Sequence, residues 1–306
     1  MCCLFGVHDY GHCLTQKQMN RLLAVLGTAC EERGTDATGI AYNSGNNLCI
    51  YKRPRPAHWM RFQVPADSHV VMGHTRMATK GSERRNQNNH PFPGYVKNGS
   101  FALAHNGVLY NDLTLRKKYR LPATKIETDS YIATQLIEDS GELNFGSIQD
   151  MAEKLEGSFT ITVLSDRDEL YFIKGDNPMC LYHYPERKIY IYASTETILR
   201  TALSKLPFEL GVPIRIDLHN GEILQIDKHG LQDRSTFNAG KLFYRMYEPW
   251  LDFELPKSTG RTETKNSYLN DLKTIAMFYG FYPEDVDALL ADGYTTDDIE
   301  ELLYCG

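Results

Sequence analysis

The sequence predicts an α+β protein in which helices pack outside two layers of sheet. Two features carry that expectation. From Ser158 onward the apolar pattern repeats every second residue, which gives short strands at 158–164, 169–174, 179–184 and 188–193. The helical segments come in groups and do not alternate strictly with strands, which argues against a β-α-β ladder. Length and composition agree, because 306 residues with 42% hydrophobic and 24% charged side chains suit one large domain with a small appendage. A net charge of −6 with scattered signs argues against nucleic acid as the main partner. No apolar run approaches the roughly 18 residues of a membrane span, so no membrane partner is expected, and the N-terminus has no signal-peptide pattern. Seven cysteines without C-x-x-C spacing fit free thiols in a reducing cytoplasm.

In chain order, the apolar run Cys3–Val7 reads as a strand. Residues 16–32 read as a helix with Met19, Leu22, Leu23, Leu26 and Cys30 on one face and Gly34 as its stop. The charged turn at 33–36 runs into a strand, and Leu48–Tyr51 pairs with that strand across an Asn/Gly-rich turn. His69–His74 is a buried strand that delivers Thr75–Gly81, and Ser100–Ala104 is another that ends at His105-Asn106-Gly107. Glu127–Ser130 caps a helix, and further helices follow at 146–156 and 195–206. Residues 214–217 and 221–226 read as a hairpin-like pair. Beyond residue 240 come an aromatic-rich strap and linker (241–265) and a tail of three short helices (266–306), expected to pack on its own chain.

Cys2 is the residue with the most chemistry. With Met1 removed it would carry a thiol and a free α-amine together. An amine whose ordinary pKa is about 7.7–8.0 can act as base for the thiol, so nucleophile and base come in one residue. A cysteine at position 2 means little alone. It gains weight from four further motifs: Arg33-Gly34-x-Asp36-x-x-Gly39; Gly73-His74-x-Arg76-x-x-Thr79-x-Gly81; His105-Asn106-Gly107; and Thr128-Asp129. In order and spacing these resemble the glutaminase domain of class II glutamine amidotransferases, most of all the amidotransferase half of glucosamine-6-phosphate synthase. Asn89-x-Pro91 fits as well, and the resemblance covers about residues 2–230.

The resemblance implies a four-layer αββα N-terminal-nucleophile hydrolase fold over residues 2–240. It also implies hydrolysis of L-glutamine through a Cys2 thioester, with no cofactor and no metal. Asn106 and Gly107 would form the oxyanion hole, Arg76 would grip the α-carboxylate and Asp129 the α-ammonium. Thr79 would line the pocket, while Arg33 and Asp36 would orient the N-terminus and nearby loops. His74, His90 and His105 lack ligand-like spacing, so structural hydrogen bonding is expected of them. Two residues depart from the family's pattern: Met77 replaces an aromatic residue and Lys80 replaces a histidine. The 66 residues after 240 are too few for an acceptor domain, so a separate ammonia-accepting synthase is expected as partner, with homo-oligomerisation left open. Two rival readings stand beside this one, a hydrolase of another γ-glutamyl amide or conjugate and a non-catalytic partner-binding protein.

Overall fold

A computed structural model describes residues 2–45, 47–242, 273, 276, 283–295 and 299. The chain divides into two units, Met1–Leu251 and Asp252–Gly306. In the first unit, a seven-stranded sheet is built from β1 (Cys3–Asp9), β2 (Ala37–Ser44), β3 (Asn47–Arg53), β4 (Val70–Arg76), β9 (Cys180–Tyr184), β10 (Ile189–Ala193) and β11 (Ile214–Ile216). Its strand order is β11-β9-β10-β1-β4-β2-β3. A six-stranded sheet contains β5 (Phe92–Val96), β6 (Gly99–Leu109), β7 (Gly157–Ser165), β8 (Leu170–Lys174), β12 (Glu222–Ile226) and β13 (Gln232–Thr236), in the order β13-β12-β8-β7-β6-β5. All the pairings are antiparallel.

Alternation along the strands sorts side chains into three apolar layers. Cys3, Phe5 and Val7 of β1 join the outer face of the first sheet. There they pack with Leu22, Leu23 and Leu26 of α1 (Gln16–Cys30) and with Ile198, Leu199 and Ala202 of α5 (Glu196–Leu203). Leu4 faces the other way, into a layer between the sheets with Met72, Ala104, Phe172 and Tyr192. The second sheet's outer face carries α3 (Tyr131–Ser140) and α4 (Phe145–Lys154), with Ile132, Leu136, Ile148 and Met151 in its core. The result is the αββα order of layers. Thr15 caps α1 and Asn144 caps α4, each through a capping box.

Three local expectations need correction. Residues 214–226 do not form a hairpin: β11 pairs with β9 in the first sheet, and β12 pairs with β8 and β13 in the second. The strand at 100–104 does not stop before Asn106-Gly107. β6 continues to Leu109 and pairs along β7, with Asn106 opposite Thr160 and Gly107 opposite Phe159. At the start of α3 neither Asp129 nor Ser130 caps the helix with its side chain, because both side chains turn to β6. In the second unit, α6 (Pro283–Ala291) buries Val286 with Ala276 and Ile299. The expected strap from residue 243 to 265 lies outside the described residues, as does most of the first and third tail helices.

Phe172 is fully buried between the sheets and meets Tyr192 edge-on at 4.9 Å. Removing its ring leaves a cavity that the flanking sheets cannot close. Phe172→Ala is expected to lower stability by about 3–5 kcal/mol, read as a lower urea midpoint with an unchanged m-value.

Candidate active site

The strand ladders bring the predicted residues to one end of the sandwich. Cys3 pairs with Thr75, so Cys2 lies beside the last residue of β4, Arg76. On the other side of β4, Ala37 pairs with Arg76. The second sheet joins here, because His74 Nε2 donates to the His105 carbonyl at 3.1 Å. That bond sets Asn106 and Gly107, the next residues of β6, against the end of β4. Asp129 reaches the same corner: its Oδ2 accepts the Leu109 N–H at 2.6 Å, and its charge acts on Arg76.

Cys2 is half-buried, with Sγ 3.6 Å from the Met77 carbonyl. Burial pushes its thiol above the ordinary value, and the Met77 contact and the Arg76 charge offset this only in part. A protonated thiol at this position needs a base before it can attack. The Cys2 carbonyl accepts from Arg33 Nε at 3.0 Å, which ties the start of β1 to the turn after α1. Asp36 holds the other side of the corner. Its backbone N–H donates to the Arg76 carbonyl at 3.0 Å, and its Oδ2 accepts from Ala78 N–H at 2.7 Å. Gly34 permits this approach, since a Cβ there would lie 2.5 Å from the Arg76 carbonyl carbon.

Arg76 is 3% exposed, and its guanidinium holds three acceptors. Nη1 donates to Asn89 Oδ1 at 2.8 Å, and Nη2 donates to the carbonyls of Lys80 and Gly81 at 2.7 and 2.8 Å. Burial draws its pKa down, while Cys2, Glu83, Asp36 and Asp129 act to raise it. The fork therefore curls the 77–81 loop around itself. Lys80 latches that loop from outside, with Nζ 3.0 and 2.9 Å from the two carboxylate oxygens of Asp112, the first residue of α2 (Asp112–Lys118). Asp112 is buried, whereas Thr79 and Met77 are exposed on the loop.

Asn106 is fully buried, and neither side-chain atom has a hydrogen-bond partner among the described residues. A buried amide left unpaired costs about 1–3 kcal/mol. Gly107 adopts φ 141°, and a Cβ would meet the Ser158 carbonyl oxygen at 1.9 Å. Only glycine fits there. The thiol, the guanidinium, the carboxylate and the unpaired amide thus gather where β4 meets β6.

The three histidines act within the frame. His74 is pulled down to about 3 by burial and is neutral. His105 Nδ1 meets Ser130 Oγ at 2.8 Å. The His90 ring packs 4.2 Å from His74 and 4.4 Å from Phe92. Among the described residues no group of three or more His, Cys, Asp or Glu is placed to hold a metal. Cys3 points away from the corner and approaches Cys30 Sγ at 2.9 Å in the core under α1. Sequence reasoning missed the parts played by Asn89, Asp112 and Ser130. Asn89 stood inside a quoted motif, but nothing local in the sequence marks the other two.

Residues 61–212 match the family described as the glutamine amidotransferase domain. A Staphylococcus aureus glutamine–fructose-6-phosphate aminotransferase (isomerizing) is 32% identical over 160 residues, 49% of this chain and 26% of that protein. Human amidophosphoribosyltransferase is 24% identical over 258 residues, 76% of this chain and 49% of that protein. The chain thus spans between a quarter and a half of the length of these relatives. Among solved structures, the glutamine phosphoribosylpyrophosphate amidotransferase from B. subtilis superposes with a TM-score of 0.62 at 20% identity, covering 90% of this chain and 58% of that one. That likeness shows a shared fold.

The Lys80–Asp112 latch makes a prediction independent of chemistry. An ion pair of this exposure contributes about 1 kcal/mol. Lys80→Met should therefore speed amide exchange along 78–81 by roughly three- to tenfold, with no change at β6 and β7. Equal speeding along all these segments would mean that the bridge supports the whole sandwich.

Proposed function

We propose that this chain, which matches the glutamine amidotransferase domain family over residues 61–212, is a class II enzyme that hydrolyses L-glutamine to glutamate and ammonia through a thioester on Cys2 and passes the ammonia to a separate synthase. The observation that carries this reading is the convergence of Cys2, Arg76, Asp129 and the Asn106–Gly107 step where the end of β4 meets β6. The first unit, through Leu251, holds all of these residues.

On this reading, Arg76 and Asp129 take the α-carboxylate and α-ammonium of glutamine. That leaves the side-chain carboxamide at Cys2. Removal of Met1 frees the Cys2 amine, which accepts the thiol proton as sulfur bonds to the amide carbon. The negative charge that develops on the amide oxygen meets the Asn106 side-chain N–H and the Gly107 backbone N–H. The amine then returns its proton to the leaving nitrogen, the C–N bond breaks and ammonia departs. Water attacks the γ-glutamyl thioester, the amine takes the water's proton, and glutamate leaves as the thiol reforms. Asn106 suits this task because its amide is pre-placed and unpaired, so no competing bond must break first.

The experiment is a glutaminase assay on purified chain whose N-terminus has been read by mass spectrometry. Chain lacking Met1 should release equal amounts of glutamate and ammonia, and Cys2→Ala should lose about a thousandfold or more of the rate. Chain retaining Met1 should be equally inactive. Turnover by Cys2→Ala, or none from correctly processed chain, would contradict the reading. The pH dependence has a definite sign. Burial raises the thiol, so attack needs the neutral amine, and protonating that amine removes the base. The value of kcat/KM should rise with pH through about 7.7–8.0, the ordinary range of an α-amine. Arg76→Lys, which keeps the charge but loses the fork, should raise KM by about tenfold or more with a smaller change in kcat.

A further inference from the structure

Cys3 and Cys30 are two thiols in contact. Their sulfurs stand 2.9 Å apart in the core beneath α1, and neither side chain is exposed. Cys13 and Cys49 instead donate to carbonyls close to them in the chain, those of Gly11 and Asn47. One residue fixes the backbone on both sides of the sulfur pair. Thr75 pairs with Cys3 across β1 and β4, and its hydroxyl donates to the Cys30 carbonyl at 3.0 Å. A disulfide forms without backbone movement only where the two side chains already aim their sulfurs at each other. That condition is met between the start of β1 and the last residue of α1.

The two thiols are also unlike. Burial works to raise Cys3, but hydrogen bonds from Cys30 and Ser194 and the Arg33 charge outweigh it and draw the thiol below its ordinary value. Cys30 moves the other way, pushed well up by burial and by the neighbouring sulfur. One sulfur thus tends toward the thiolate while the other keeps its proton, a division of labour that suits thiol oxidation. The covering over them is thin. Cys2 on one side is half-buried, and on the other Glu31 is half-buried and Glu32 exposed. Helix ends open locally at little cost, so a molecule as small as hydrogen peroxide reaches the pair when the last turn of α1 frays.

We propose that Cys3 and Cys30 are a redox-sensitive pair that a peroxide closes into a disulfide, stapling β1 to α1 behind Cys2. The Cys3 sulfur attacks one peroxide oxygen, the O–O bond breaks, and the departing hydroxide takes up the Cys3 proton as water. The Cys30 sulfur then attacks the sulfenic sulfur, the S–O bond breaks, and that hydroxide leaves with the Cys30 proton as a second water. Two thiols lose two electrons, and one peroxide gains them. Cys2 stays outside this chemistry, since its Sγ lies by the Met77 carbonyl while Cys3 points the other way, to Cys30. The staple bears on the corner through the turn after α1. Arg33, three residues past Cys30, holds the Cys2 carbonyl, which belongs to the peptide just before Cys3. Oxidation therefore closes a ring through Cys3, Cys30, Arg33 and the Cys2 carbonyl, and the start of β1 no longer parts from α1.

The test treats the reduced full chain with hydrogen peroxide, then alkylates it, digests it without reductant and maps the peptides by mass spectrometry. One linked pair is expected, Cys3 to Cys30, lighter by two hydrogens than the two free peptides together. Because the cross-link encloses the whole of α1, Tm should rise by about 5 °C or more and fall back when dithiothreitol is added. Cys13→Ser should show the same linkage and the same rise, and Cys30→Ala should show neither. Separately alkylated Cys3 and Cys30 after peroxide, a sulfinic acid on Cys3, or a linkage from either residue to Cys2 would overturn the pair. Linkage without a rise in Tm would overturn the staple. Both readouts are made on the unsubstituted chain, so they decide the matter even if Cys30→Ala fails to fold. Glutamine turnover enters neither, so this pair and the proposed function stand or fall separately.

Discussion

The corner depends on a bond between the two sheets in which the buried, neutral His74 donates to the His105 carbonyl. Two stacked sheets make most of their contact through apolar side chains, which fix spacing but tolerate sliding. A directional bond between β4 and β6, with others such as Asn43 Nδ2 to the Ser165 carbonyl and Gln232 Nε2 to the Tyr190 hydroxyl, removes that freedom. It ties the strand that ends at Arg76, two residues beyond His74, to the strand that carries Asn106, one residue beyond His105. His90 packs on His74, and Ser130 holds the other side of the His105 ring. These histidines serve as joints of the frame, and their burial keeps them uncharged.

Around that joint, each polar group holds backbone as well as facing the corner. Asp129 takes the Leu109 amide, Asp36 ties the Arg76 carbonyl to Ala78, and Arg33 holds the Cys2 carbonyl. Arg76 itself secures the loop through Lys80 and Gly81. Such double use fixes a charged side chain in one rotamer before any ligand arrives, which lowers the ordering cost of binding. Asn106 is the exception. Its amide is buried and has no partner among the described residues, an unfavourable state that the proposed oxyanion role would relieve.

Much of this was legible in the sequence. The four layers followed from strand periodicity, grouped helices and the family resemblance. Cys2, Arg76 and Asp129 were singled out by the family resemblance, and the strand ladders bring them to one end of the sandwich. What the sequence hid was long-range. Asn106-Gly107 has the composition of a turn, yet pairing with β7 keeps it in a strand. β5 contains Pro93 and Gly94, and β13 is almost wholly polar, so neither carries the alternation that marks a strand. Sheet membership parted β11 from β12 although they are neighbours in the chain. Nothing in the sequence marks Lys52, which is half-buried through contacts with Asn89 and Pro91, 37 and 39 residues away.

The central claim is that the residue-2 sulfur faces a pocket built for glutamine, and covalent labelling reads it most directly. A glutamine analogue bearing an electrophilic diazoketone in place of the carboxamide should be incubated with the intact chain and mapped by peptide mass spectrometry. The account predicts one adduct per chain, on Cys2, formed only where Met1 is absent and suppressed by excess L-glutamine. Labelling of Cys13 or Cys49 in preference to Cys2, or labelling of Cys2 that glutamine does not suppress, would contradict it.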